Sequence, residues 1–282
     1  MNRDLLALDD LPADVIFRLL ARSGELAALW QARAMPPVLA GRRIALIADD
    51  GGWRNTTAFD LGIQAMGGMC VHAPVTLAGK EAVADLAGYL DNWFDGIVIR
   101  SPRLDRVRAL AEAARAPVVN ARTRANHPCE TLGDLAWLAT RGRIEGLRVT
   151  VIAPDANIIR SWVEAAAVLP IEVVQIYPDR HIPAAPGFRA TTDMGELDGA
   201  DVLVTDCWPD GADPDVLGAY RVTPSVLDRL ADGAVFLPCP PVTRGQEVDD
   251  AAMRHPACGV TAAKAFLLHA QNALLEWVFA PQ

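Results

Sequence analysis

The sequence lacks a disulfide framework. Its five cysteines, Cys70, Cys129, Cys207, Cys239 and Cys258, are odd in number, widely spaced and without a CxxC pair. That pattern suits reduced thiols in a cytoplasmic protein, and neither a structural zinc nor any other metal or cofactor is expected from it. Positive charge is short as well, with a net charge of −9 over 282 residues. Nucleic acids and anionic membranes both need a basic face, so neither partner is expected. No run approaches about 18 uncharged apolar residues, which argues against a membrane-spanning helix. The opening "MNRDLLALDDLPADVIFRLL" places acids where a secretory leader needs a basic start and an unbroken apolar run. Repeats and low-complexity tracts are missing. So is a G-x-G-x-x-G after any strand: "VIAPDANII" stands where that fingerprint would be, which removes a dinucleotide-dependent oxidoreductase.

What is present is the composition of a packed globular protein, 51% hydrophobic and 22% charged, long enough for two ordinary domains. Apolar runs that read as buried parallel strands alternate with helical periodicity. In a first series "RRIALIA", "DGIVIR" and "APVVNA" are strands. The segments "RNTTAFDLGIQAMGG", "GKEAVADLAGYLDNW", "LDRVRALAEAA" and "HPCETLGDLAWLATR" are helices, the last with Pro128 in its first turn, where no N–H is needed. A second series starts at "LRVTVIA". It continues through the helix "NIIRSWVEAAAVL", the strands "IEVVQIY" and "DVLVTDCW", the helix "TPSVLDRLADG" and the strand "AVFLPCPP", with "PDRHIPAAPGF" as a loop. An amphipathic helix, "AKAFLLHAQNALLEWVF", closes the chain. The expected fold class is α/β, two doubly wound parallel-sheet lobes joined by interlobe helices. Residues 1–141 form one lobe, with 262–282 packing back on it, and 142–261 form the other. Ligands of such folds bind outside the carboxyl ends of the strands.

Polar residues gather at those strand ends. The stretch "DDGGWRNTTAFD" is a glycine-rich turn from strand to helix with Arg54 at the helix start, a place where unpaired N–H groups and a guanidinium can hold an anion together. The same residues also read as a plain turn. Arg100 ends "GIVIR", and His127 precedes the helix opened by Pro128, whose dipole favours a neutral imidazole able to donate to a carbonyl. A capping or core histidine is the bland alternative. Cys239, in "FLPCPP", has no histidine near it in sequence, and the prolines around it suggest a rigid backbone with a cis X–Pro bond rather than a nucleophile's seat.

In this order the clusters resemble the aspartate and ornithine carbamoyltransferases over nearly the whole chain. "LAGRRIALIADDGGWRNTTAFDLGIQAMGG" is similar to the family's strand, S-T-R-T-R loop and helix; "FDGIVIR" and "NARTRANHPCETLGDL" are similar to its arginine-ended strand and H-P-x-Q helix start. "NIIRSW", "ADVLVTDCW", "FLPCPPVTRGQEV" and "LHAQNALLEW" resemble N-(I/V)-x-H-S, T-D-x-W, H-C-L-P-x-x-R-G-x-E-V and the closing helix. The resemblance implies transfer of a carbamoyl group from carbamoyl phosphate to an amine of an amino acid or related compound, in a homotrimer. It implies Arg54, Arg100 and Arg244 as phosphate ligands, together with Gly52, Trp53 and Asn55 of the loop. It implies His127 as the donor that polarises the carbamoyl carbonyl, and Lys80 as a residue reaching a neighbouring subunit's site. Asn157, Asp206, Cys239 and Pro240 would then line the amine's place.

The loop departs from the pattern. Gly52 replaces the serine and loses a hydroxyl, Asn55 replaces the second threonine but can still donate, and Thr56 replaces the second arginine. Glu130 replaces the H-P-x-Q glutamine, able to accept from the carbamoyl NH2, while Pro238 and Pro240 replace the histidine and leucine of H-C-L-P. These changes leave a second reading, a catalytically impaired paralogue that binds an anion or amino acid as sensor or scaffold.

Overall fold

The computed structural model describes residues 3–49, 51–178 and 182–280. Asp50 of the glycine-rich turn and Asp179, Arg180 and His181 of the proline-rich loop lie outside the described residues. Within them the chain divides into two compact units, one running to Arg141 and resuming at Lys264, the other spanning Gly142–Ala263.

Apolar runs rich in β-branched residues form the inner strands, because a parallel sheet covered on both faces has no solvent side for a polar alternation. In the first unit β1 (Arg43–Ala48), β2 (Met69–His72), β3 (Gly96–Arg100) and β4 (Val118–Arg122) make a parallel sheet in the order β2-β1-β3-β4. The chain begins in the middle, steps to one edge and returns to the other side, which is the doubly wound path. Around it lie α1 (Ala13–Gln31), α2 (Trp53–Ala65), α3 (Val83–Trp93), α4 (Leu104–Ala113) and α5 (Pro128–Ala139). Ile47, Ile97 and Ile99 of the sheet pack with Leu86 and Leu90 of α3 and Val107 and Leu110 of α4. Each such side chain, fully buried, contributes about 1.5–3 kcal/mol.

The second unit repeats the plan with β5 (Arg148–Ile152), β6 (Glu172–Ile176), β7 (Phe188–Thr191), β8 (Val202–Thr205) and β9 (Val235–Pro238), all parallel, in the order β7-β6-β5-β8-β9. Its one long helix is α6 (Asn157–Val168); α7 (Pro214–Leu217) and α8 (Pro224–Leu227) are single turns. The closing helix α9 (Val260–Phe279) belongs to the first unit from Lys264 onward. There it meets α5, which is buried from Pro128 to Leu138. A Cβ on Gly133 would stand 3.1 Å from Leu267 Cα, so the absent side chain is what lets the two backbones approach.

Five labelled elements differ from the sequence expectation, among them α7, where no helix is expected. Helix α1 occupies part of the N-terminal stretch whose acids argue against a leader. Strands β2 and β7 are sheet edges of four residues with no run of buried positions, so neither carries the apolar signature of an inner strand. The expected helix over 223–233 stops at Leu227, because the Ala231 amide is drawn away to Ala200 O. No helix among the described residues is long and apolar enough to cross a membrane.

Candidate active site

Three neighbouring strands of the first unit, β1, β3 and β4, end beside one another and deliver the polar residues of this unit. From β1 the chain turns through Gly51 and Gly52, both left-handed, into α2, whose N-cap Gly52 offers no side-chain cap. The first amides of the helix are therefore open to an anion. Gly52 has a second reason to be glycine: a Cβ there would lie 2.6 Å from Nε and Nη1 of Arg100. The guanidinium at the end of β3 thus lies against the turn, and a serine at position 52 has no room while Arg100 holds this pose. Arg54 is exposed, its guanidinium carbon 5.2 Å from the ring centroid of the exposed Trp53.

The other loop positions turn inward onto protein. Asn55, expected as a donor to ligand, is buried and its Nδ2 donates to Ala121 O at 3.3 Å, tying α2 to β4. Thr56 Oγ1 donates back to Trp53 O at 3.2 Å. Asp49, just after β1, accepts from Ser101 Oγ at 3.0 Å and from the Leu77 amide at 3.2 Å. The latter bond anchors the loop that carries exposed Lys80, and Arg106 Nε holds it again through Leu77 O at 3.1 Å. Sequence reasoning had not singled out Asp49 or Ser101.

His127 stands at the N-cap position of α5 without a side-chain cap and is 7% exposed. Burial is the main reason its pKa falls from 6.5 to about 4; Glu130 pulls it up, and Arg100, Arg122 and Lys264 push it down. The neutral imidazole expected from the helix dipole is present, but desolvation leads. Glu130 Oε2 lies 3.7 Å from His127 Nε2. Its other oxygen is 2.7 Å from Lys264 Nζ, which also stands 2.7 Å from Asp134 Oδ1, one turn further along α5. Burial opposes ionisation of Glu130, yet Lys264 and then His127 outweigh it and hold the carboxyl below its usual range. Asp134, sharing the same ammonium with Glu130, is pushed up to about 6, chiefly by burial. Lys264 was not foreseen. Its signal was available: it is one of two lysines in the chain, set in an apolar helix.

A pH dependence follows. The unfolded chain binds the His127 proton near 6.5 and the fold only near about 4, so between these values the unfolded state holds more protons and stability falls as pH drops. At pH 5 the loss amounts to about 2 kcal/mol. Asp134, with its raised pKa, contributes the opposite slope between 3.8 and about 6, so the comparison must be with a His127→Gln variant that leaves it in place. Urea unfolding at pH 7 and pH 5 should show the smaller acid loss in the variant. Equal slopes would return the imidazole to its ordinary range.

In the second unit β5, β8 and β9 are neighbours, and their ends bring Asn157, Asp206 and Cys239 to one sheet edge. Asn157 opens α6, while Arg160, at the place of the histidine in N-(I/V)-x-H-S, grips Asp155 with both ends of its fork, at 2.6 and 2.7 Å. Asp206 Oδ1 accepts from the Cys207 amide at 2.8 Å. Cys239 is buried and its amide donates to Thr205 O at 2.7 Å; the cis bond of this segment is Pro240–Pro241. Arg244 belongs to this unit and pairs with Asp250 at 2.8 Å.

Two family models match. "Aspartate/ornithine carbamoyltransferase, carbamoyl-P binding domain" covers residues 3–140, and "Aspartate/ornithine carbamoyltransferase, Asp/Orn binding domain" covers 145–278. The ornithine carbamoyltransferase of Bradyrhizobium diazoefficiens is 30% identical, covering 98% of this chain and 97% of that protein. The structure is similar to those of ornithine carbamoyltransferases from Burkholderia thailandensis and Thermus thermophilus, each 27% identical, with TM-scores of 0.91 and 0.90. Coverage is 98% of both chains for the first, and 99% of this chain and 100% of the other for the second.

Proposed function

The chain belongs to the aspartate/ornithine carbamoyltransferase family, and on that premise we propose that it transfers the carbamoyl group of carbamoyl phosphate to an amine. The observation that carries the reading is the convergence at β1, β3 and β4 of an uncapped helix N-terminus, the Arg100 guanidinium laid against Gly52, and a buried neutral imidazole. Amides, Arg54 and Arg100 take the phosphate. His127 donates to the carbamoyl oxygen, and Glu130, kept ionised by Lys264, accepts from the carbamoyl NH2. The amine attacks the carbamoyl carbon, the C–O bond to phosphate breaks, and phosphate carries away the electron pair together with the proton that the amine nitrogen loses. The protein supplies position and charge and forms no covalent bond itself. Asn157, Asp206, Cys239 and Pro240 form the amine's wall, and Arg244, paired with Asp250, is carried by the same unit. The odd number and wide spacing of the five cysteines support a cytoplasmic setting.

Lys80, exposed on a loop anchored at Leu77, serves the site of a neighbouring copy in a homotrimer. Light scattering at micromolar concentration should therefore give the mass of three chains. A stable single chain would remove Lys80 from the site.

The acceptor is an amine other than ornithine. Trp208 is buried against Tyr177 and Leu217, and the chain then turns at once through Pro209, Asp210 and left-handed Gly211, without the S-M-G that follows T-D-x-W in ornithine enzymes. Asp206 and exposed Asp210 favour a cationic group over a carboxylate. Phosphate release from carbamoyl phosphate across a panel of diamines and amino acids, with the ureido product identified, tests both points. Citrulline from ornithine at about 10⁴ M⁻¹s⁻¹ or more would overturn the acceptor. Carbamoyl phosphate binding without turnover on any amine would favour the sensor or scaffold.

A further inference from the structure

On the far edge of the first unit's sheet, away from the strand ends that carry His127, an aspartate, a cysteine and a histidine meet. Cys70 and His72 are two apart on β2, so their side chains leave the strand on the same face. Asp60 comes from α2, less than two turns beyond Arg54. One ligand atom from each of the three, a carboxylate oxygen, a thiol sulfur and an imidazole nitrogen, lies within 4.8 Å of the others. His72 Nε2 is 3.0 Å from Asp60 Oδ2, and the Cys70 thiol is hydrogen-bonded to the same carboxylate. Gln64 Nε2 donates to Asp60 Oδ1 at 2.6 Å, which fixes the carboxylate's orientation from outside the cluster.

We infer that Asp60, Cys70 and His72 form a binding site for a divalent transition-metal ion of the zinc type, independent of the carbamoyl-transfer site. Thiolate, imidazole and carboxylate together are a zinc donor set, and the sulfur disfavours magnesium and calcium. Metal–ligand bonds of about 2.0–2.3 Å in a tetrahedron separate the ligand atoms by roughly 3.4–3.6 Å. The cluster closes to that spacing by rotation of side chains. Its backbone is already held, since β2 pairs with β1 through Ile44↔Cys70 and Leu46↔His72. Asp60 and Cys70 are half-buried and His72 is exposed, so an ion has a path in and a water can complete the fourth position. On binding, the Cys70 S–H bond breaks, the proton leaves to solvent, the sulfur's electron pair goes to the metal, and nothing is oxidised. The ion would clip the middle of α2 to an edge strand whose pairing is otherwise one-sided. The wide spacing of the cysteines gave no hint of this, because two of the three donors are supplied by other residue types and one comes from a different element.

Cobalt(II) provides the test, added to the full-length, chelator-treated protein with its thiols reduced. One equivalent should give a near-ultraviolet thiolate-to-cobalt band and the intense visible bands of four-coordination, both bleached by zinc, and zinc should raise the Tm by several degrees. Cys70→Ser should abolish the near-ultraviolet band. His72→Ala, at an exposed position, should weaken binding at least as much as the roughly 10–100-fold lost with an outer-shell partner. Both variants should keep wild-type carbamoyl transfer without metal, which shows that they fold and keeps this inference separable from the proposed reaction. No thiolate-to-cobalt band in the folded wild type would overturn the site. A band that survives Cys70→Ser would overturn it equally, since the metal would then sit on another cysteine.

Discussion

Replacing Lys264 with methionine should destabilise the protein by about 3–5 kcal/mol, the usual cost of removing one partner from a buried ion pair. The ammonium lies 2.7 Å from both Glu130 and Asp134, on a side chain 11% exposed between two buried carboxyls. Without it two carboxyl groups one helical turn apart face each other, and each must take a proton or repel the other. The asymmetry gives a control: adding Glu130→Gln and Asp134→Asn to Lys264→Met removes the orphaned charges and should recover most of the loss. Urea unfolding of the three proteins measures this. A single-variant loss below about 1 kcal/mol would mean that the triad is solvated and behaves as a surface pair.

Arg100→Ala should lower kcat/KM for carbamoyl phosphate by roughly 10²–10⁴. Two charge-assisted hydrogen bonds at about 1.5–3 kcal/mol each set the range, at 1.36 kcal/mol per tenfold. Arg100 is expected to exceed Arg54, because the sheet and the Gly52 turn hold it, whereas Arg54 is exposed and rests on Trp53. Arg100→Lys should restore only part of the activity, since an ammonium keeps the charge but not the planar fork. Carbamoyl phosphate titrations on each variant separate binding from turnover. An unchanged affinity in Arg100→Ala would move the anion to another part of the molecule.

Much of this was legible in the residues. The inner strands announce themselves because burial on both faces forces an apolar run. The glycine turn before Arg54, the arginine ending β3 and the histidine before Pro128 fall at strand ends, where an open α/β sheet presents its ligands. The edge strands β2 and β7 did not, because an edge exposes its residues and loses the pattern. The loop substitutions were visible but not their consequences. Asn55 remained a donor by chemistry, and only packing against Ala121 O decided where it donates.

The sequence by itself determined the α/β class, the doubly wound order of elements and the addresses of Gly52, Arg54, Arg100 and His127. These depend on local periodicity and on which residue types tolerate a turn or a helix start. The tertiary structure decided the charge states. Glu130 read only as an acceptor in place of a glutamine, and its charge was set when α9 folded back across more than a hundred residues and placed Lys264 against it and Asp134. His127 read as neutral because of a helix dipole, whereas burial is what keeps it so. Desolvation and ion pairing depend on what else occupies the surrounding few ångströms, and no spacing along the chain encodes that.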